Sequence, residues 1–241
     1  MIIAIDGTSG SGKSTIAKKL AKSLKFGFFS AGELYRAITV NVLNLGINET
    51  EDDKLKYLID NTQITYTFDG TSNVMYLDNE NITNKLHTEE VSNFVSKISC
   101  KPFIREFVRK LQRDTAKNNK NIVMEGRDIG SVIFPDADLK IFVDCRIDIR
   151  AERRMADYKK LGEDVSIESV VEALKNRDYK DIHRDISPLV MCENSFLIDT
   201  SLNSVETSLS LIYQEMLRRD LVDTKFFEER GINLNETNKS N

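Results

Sequence analysis

Near the start of the chain an apolar run, Met1 to Ile5, stops at Asp6 and passes into Gly7-Thr8-Ser9-Gly10-Ser11-Gly12-Lys13-Ser14. Ile16, Leu20 and Leu24 follow at the spacing of one helical face. A loop of the form G-x-x-x-x-G-K-[ST] between a strand and a helix limits the possible folds sharply, because an anion site is built into the junction. Its glycines let backbone amides turn inward around phosphates, and the amino end of the helix adds positive potential. Lys13 is expected to neutralise the β and γ oxygens of a nucleotide, and the Ser14 hydroxyl to hold Mg²⁺. A glycine turn that binds nothing is the alternative, and the strand and helix signals on either side count against it. Neither Asp6 nor Asp144 stands in a clear second acidic motif, so a second magnesium ligand is not legible.

The strand-then-helix rhythm recurs. Apolar runs at Phe26 to Phe29, Asn121 to Met124, Leu139 to Val143 and Phe196 to Ile198 are separated by helical patterns. Short strands without alternation, joined through helices, predict an α/β fold with a parallel sheet covered on both faces. Residues Asp60 to Asp78 break the rhythm: Thr62, Ile64, Tyr66 and Phe68 alternate, Asp69-Gly70 offers a turn, and Val74, Tyr76 and Leu77 resume. That pattern predicts an antiparallel hairpin inserted in the fold. Helices are expected at about 88–99 and 102–117, and the polar, Asn-rich stretch 231–241 is expected to be disordered.

Bulk properties narrow the function by exclusion. The net charge of -4 on 241 residues creates no field for nucleic acid or an anionic membrane, so any anion site must be a local cluster of Arg and Lys. No basic stripe with interleaved aromatics suggests a nucleic-acid partner. Cys100, Cys145 and Cys192 are odd in number and widely spaced, which argues against a disulfide framework or zinc site and for a reducing compartment. The initial apolar run is too short for a signal peptide or a membrane span, so a cytoplasmic location is expected.

A phosphate loop serves switches, motors and small-molecule kinases alike. The guanine-reading Asn-Lys-x-Asp is missing: Asn84-Lys85 continues as Leu86-His87, and Asn238-Lys239 as Ser240-Asn241. The chain carries instead Arg36, Arg105, Arg127, Arg150, Arg153, Arg154, Arg177 and Arg184, more than one triphosphate requires. Phosphoryl transfer must hold two anionic reactants in line, and guanidinium groups suit the second cradle because they grip phosphate oxygens in pairs and stay charged when desolvated. Glu125-Gly126-Arg127-Asp128-Ile129-Gly130 directly follows a strand, at the carboxyl edge where open α/β sheets bind ligands; a plain solvent-facing turn is the other reading. Arg177, Asp181 and Arg184 lie along one side of a helix, a spacing that also fits a solvated salt-bridge row. His87 and His183 have no partner at ligand spacing and read as surface residues.

Taken together, Gly7 to Thr15, Gly32-Glu33-Leu34-Tyr35-Arg36, the Ser96 to Arg105 region, Gly126 to Gly130, Arg150 to Met155 and Arg177 to Leu189 resemble the bacterial cytidylate kinase family of P-loop nucleoside monophosphate kinases. The resemblance runs along almost the whole chain. It implies a three-layer fold with a five-stranded parallel sheet: a core at 1–59 and 119–225, a helical lid at about 150–185 and a monophosphate-binding insert at 60–118. It implies ATP, with Mg²⁺, as donor bound by Gly7, Thr8, Ser9, Gly10, Ser11, Gly12, Lys13, Ser14 and Thr15, and CMP or dCMP as acceptor.

Position by position, the resemblance implies that Arg36, Arg127 and Arg184 grip the acceptor phosphate and that Arg177 and Asp181 address the ribose. Ser96, Arg105 and Asp128 would read the base; a carboxylate accepts from the cytosine N4 amino group but would meet an oxygen in uracil. Lys13, Arg127, Arg153 and Arg184 would carry the catalysis, with Arg150, Arg153 and Arg154 as lid arginines closing over the transferring phosphate. Ser30-Ala31 stands where many members have Asp-Ser or Asp-Thr, and Lys180 and Ile182 replace positions charged in relatives. The expected enzyme is a monomeric (d)CMP kinase. The competing readings are a P-loop kinase for UMP, AMP or a small alcohol, and a nucleotide-binding switch without catalysis.

Overall fold

Each apolar run becomes a strand in the computed structural model, which describes residues 1–68, 73–162 and 164–234. The strands are β1 (Ile2–Gly7), β2 (Gly27–Ser30), β3 (Ile64–Phe68), β4 (Asn73–Leu77), β5 (Glu80–Asn81), β6 (Ile122–Gly126), β7 (Leu139–Asp144) and β8 (Phe196–Asp199). The helices that position the site are α1 (Lys13–Leu24), α2 (Ala31–Asn44), α3 (Asp52–Asn61), α4 (Glu89–Ser99), α5 (Pro102–Asn118), α6 (Ile147–Leu161) and α7 (Ile167–His183). Two more, α8 (Val205–Arg218) and α9 (Thr224–Glu228), complete the described part.

Strands β2-β6-β1-β7-β8 form a five-stranded sheet in that order, with every neighbouring pair parallel. The order reverses about β1, and such a reversal opens a crevice at the carboxyl edge of the sheet. Alternate residues of β1 serve different cores. Ile3 and Ile5 pack with Ile16, Leu20 and Leu24 of α1 and Ile212 and Met216 of α8. Ala4 packs on the other face with Leu34 and Ile38 of α2, Leu55 of α3, and Ile104 and Val108 of α5. The central strands β1 and β6 are covered on both faces, which is why they read as apolar runs.

The smaller sheet, β3-β4-β5, is antiparallel, and its third strand is only two residues long. The Asp69-Gly70 turn lies outside the described residues. Met75 and Leu77 of β4 pack with Val91 of α4 against Ala37 and Val40 of α2, so this sheet is mounted on the helix that bears Arg36. Helix α5, which the resemblance placed in the insert, covers the parallel sheet itself beside Phe29 and Met124.

Local signals start the helices. Ser30, Thr88, Ser166 and Ser204 each accept a backbone N–H from the first turn of α2, α4, α7 and α8, and Pro102 opens α5, where its missing N–H costs nothing. Helices α6 and α7 pair through a small cluster of their own, Ala151, Val170 and Leu174. In the C-terminal stretch Ile232 and Leu234 pack against the first core, and residues 235–241 lie outside the described part. No helix among the described residues is long and apolar enough to cross a membrane.

Candidate active site

The glycine loop leaves β1 at the carboxyl edge and enters α1. A Cβ on Gly7 would lie 2.0 Å from the Val143 carbonyl oxygen, so the loop can pass β7 only without a side chain there. Gly12, immediately before α1, has φ 84°, a left-handed conformation that favours glycine. The Thr8 carbonyl accepts from Ser11 Oγ at 3.0 Å and from Lys13 Nζ at 3.3 Å, and the Thr8 hydroxyl donates to Asp144 at 3.0 Å. Burial, followed by the nearby Arg127 charge, lowers the Lys13 ammonium from 10.5 to about 7. Ser14 and Thr15 are exposed at the loop mouth.

The second region is made of arginines from distant segments. Arg36 on α2 donates through Nη1 to the Leu86 carbonyl at 3.0 Å and to Ser92 Oγ at 2.9 Å. Arg127, the residue after β6, donates through Nε to Asp181 at 2.8 Å. Arg184, just past α7, donates to the Ser187 carbonyl at 2.6 Å and lies 3.6 Å from Asp181, while its Nη2 is buried without a partner.

Positive charge is crowded here. Burial and then Arg127 push Arg177 down to about 10, with Arg36 and Arg154 acting in the same direction. Arg36 is lowered by burial and then by Arg154, and Arg184 by burial and then by Arg105. Burial alone would raise the Asp181 carboxyl, yet Arg127, Arg177 and Arg184 together hold it below the ordinary range. Clustered cations with perturbed ionisation are the kind of environment that favours an anion.

A buried polar pair adjoins it. Arg105 and Asp128 form an ion pair with side chains only 4% and 8% exposed. The Arg105 guanidinium lies 5.9 Å from the Tyr35 ring centre, and burial pushes the Tyr35 phenol up to about 12. Asp128 leads into a single π-helical turn, Ile129–Ile133, a form common at functional sites. Asp6 fixes that turn from β1, accepting Ile129 N–H at 2.8 Å and Gly130 N–H at 2.7 Å. Burial outweighs those two bonds and raises the Asp6 carboxyl to about 6.

The structure thus brings together Lys13, Arg36, Arg127, Arg177, Asp181 and Arg184, and sets Arg105 and Asp128 beside them. Ser96 is exposed on α4, and Ser92, one turn earlier on the same face, holds Arg36. Arg150 is buried against the loop, bonded to the Ser9 carbonyl at 2.9 Å and to Asp178 at 2.5 Å, while Arg153 grips Thr200 through two bonds. Ser30 keeps a hydroxyl role despite its unusual context, capping α2 and donating to the buried Glu125. His87 and His183 are exposed, and His183 stacks on Tyr179 at 4.0 Å.

Sequence reasoning missed Ser92, Glu125, Asp178 and Thr200. Ser92 could have been found from its spacing to Ser96, and Asp178 from its place between Arg177 and Asp181. Glu125 opens the Glu125 to Gly130 stretch singled out in the sequence but takes no role of its own there, and nothing local marks Thr200.

A phosphate loop beside a second cluster of arginines at the carboxyl edge of a five-stranded parallel sheet defines a P-loop kinase. An uncharacterized protein from Eubacterium ventriosum shares the fold, with a TM-score of 0.51, 16% identity and coverage of 90% of this chain and 98% of that one. Sequence comparison goes further. The chain belongs to the cytidylate kinase family, whose model matches residues 3–218. The cytidylate kinase of Caldicellulosiruptor saccharolyticus is 38% identical over 212 residues, covering 88% of this chain and 93% of the relative. That of Bacteroides fragilis is 42% identical over 205 residues, with 83% and 89% covered.

Proposed function

We propose that the chain transfers the γ-phosphoryl group of ATP to CMP and dCMP, giving CDP and dCDP. The observation that carries this reading is the cluster of cations at the edge where the glycine loop opens, where Arg127 lies close enough to act on both Lys13 and Arg177, and Arg36 and Arg154 act on Arg177 as well. Two phosphate-bearing ligands entering side by side would neutralise it. Lys13 then meets the β and γ oxygens, and Arg36, Arg127 and Arg184 meet the acceptor phosphate. Arg127, which influences both Lys13 and Arg177, stands where charge develops between donor and acceptor.

Arg177 and Asp181 address the ribose, and Arg105 and Asp128 the base. A carboxylate at Asp128 accepts from the N4 amino group of cytosine and repels O4 of uracil, which supports CMP over UMP. Magnesium takes few protein ligands when phosphates supply the others, and the exposed Ser14 hydroxyl beside Lys13 fits that donor set. Bound there, Mg²⁺ would neutralise charge on the transferring phosphates. Action as a monomer is part of this reading.

ADP release measured with CMP, dCMP, UMP, AMP and no acceptor tests the reading. CMP and dCMP should raise turnover well above the acceptor-free rate, and UMP less. A rate with CMP equal to that with water alone would refute it.

A further inference from the structure

The amides of a phosphate loop face an anion only if its carbonyls are turned outward, and buried carbonyls need donors. This chain supplies them one by one. The Thr8 carbonyl takes Ser11 Oγ and Lys13 Nζ. The Ser11 carbonyl takes Thr200 Oγ1 at 2.8 Å, and that hydroxyl in turn accepts from Arg153 Nη1 at 3.1 Å. The Ser9 carbonyl takes Arg150 Nη1 at 2.9 Å.

Ser9 is held from its other side as well. Asp178 on α7 accepts the Ser9 N–H at 3.1 Å through Oδ1 and Arg150 Nη1 at 2.5 Å through Oδ2. Both polar backbone groups of Ser9 are therefore fixed by a single ion pair, with side chains 7% and 13% exposed, that joins α6 to α7. A Cβ on the next residue, Gly10, would stand 3.7 Å from Arg150 Cβ and 3.8 Å from Leu174 Cδ2, so the loop rests directly on those two helices.

We infer that Asp178 is a positioning residue for the nucleotide loop: with Arg150 it clamps Ser9, and Arg150 serves the donor by holding the loop rather than by touching the transferring phosphate. The inference rests on ATP being the donor. Helix α7 then serves both substrates from adjacent residues, with Asp178 holding the donor loop and Arg177 and Asp181 one step and one turn away on the acceptor side. An ion pair that is nearly dry keeps its geometry because neither partner can turn to water without leaving the other buried and unpaired.

The test compares the parent with Asp178→Ala and with the double variant Arg150→Met/Asp178→Leu. The double variant removes both charges, so no unpaired ion remains to unfold the protein. Losing charge-assisted bonds that set the loop is expected to raise KM for ATP about tenfold, with KM for CMP within about twofold. The melting temperature is read alongside, with and without a non-hydrolysable ATP analogue, and again with CMP. The analogue-induced rise should shrink in both variants while the CMP-induced rise persists. A merely structural role would lower every melting temperature alike and leave the ligand-induced rises equal to the parent's. That result, or equal increases in both KM values, overturns the inference. A parent with no analogue-induced rise would instead remove ATP as the donor, and the inference with it.

Discussion

In the proposed reading the donor loop meets its ligand mainly with main chain from consecutive residues, Gly7 to Thr15, whereas the acceptor site is assembled from Arg36, Arg127, Arg177 and Arg184 on separate segments of the chain. The two also store charge differently. Partial positive charge on loop amides costs little when no ligand is bound, because glycine conformations and outward-bonded carbonyls hold it in place. Full charges taken out of water are costly: burial first, and neighbouring arginines second, lower Arg36, Arg177 and Arg184. The acceptor side therefore holds unfavourable free energy that a dianion relieves, and single side-chain changes should damage it more selectively than the loop.

The largest effect should come from Arg127→Ala. Removing a donor aimed at developing charge typically lowers kcat by about 10²- to 10³-fold. Affinity for a non-hydrolysable ATP analogue should stay within about threefold, since the loop amides and Lys13 remain. Equal losses of transfer and of analogue binding would break the contrast between the two regions.

Next comes the base. Asp128→Asn should reduce the ratio of kcat/KM for CMP over UMP by about 10- to 100-fold, the value of one well-paired edge. The ratio is the proper readout, because the variant also leaves Arg105 buried without its partner and should melt earlier. An unchanged ratio would move base reading elsewhere.

The contrast between the regions also governs how much of the site is legible in the sequence. The loop is a code over adjacent residues, so its strand, its glycines and Lys13 can be read directly. The acceptor arginines can be named from spacing and resemblance, but what holds each of them cannot. Arg36 depends on the Leu86 carbonyl and Ser92, and Arg184 on the Ser187 carbonyl, contacts that exist only after the insert and the end of α7 fold back. Arg150 shows the same limit, because a basic residue on a helix looks alike whether it points at a phosphate or at the Ser9 carbonyl. Helix α5 carried a clear periodic signal, yet its partner, the parallel sheet, is set by topology that periodicity does not encode. The two-residue β5 and the π turn at Ile129–Ile133 are too short for any periodic signal.

A smaller effect concerns pH on the donor side. Lys13 titrates at about 7 in the ligand-free protein, against 10.5 ordinarily, and a bound triphosphate favours the charged form. Below about pH 7 the ammonium already carries its proton. Above it, binding must take one up, so nucleotide affinity should weaken as pH rises through that range. Calorimetry at about pH 8 in two buffers of different ionisation heat should detect uptake approaching one proton per nucleotide. CMP binding should take up much less.

The smallest expected difference lies on α4. Ser92→Ala removes a bond to a charged group and should raise KM for CMP by about threefold to tenfold, visible in steady-state kinetics. Ser96→Ala, at an exposed position, should change it by less than about twofold.

Simultaneous occupancy tests the two-pocket arrangement most directly. CMP is titrated into the protein already saturated with a non-hydrolysable ATP analogue and magnesium, and its dissociation constant is compared with that for the free protein. Two separate pockets predict one CMP bound per chain at an affinity no weaker than in the analogue's absence. A CMP dissociation constant that rises in proportion to analogue concentration would mean one shared site, and would contradict the account.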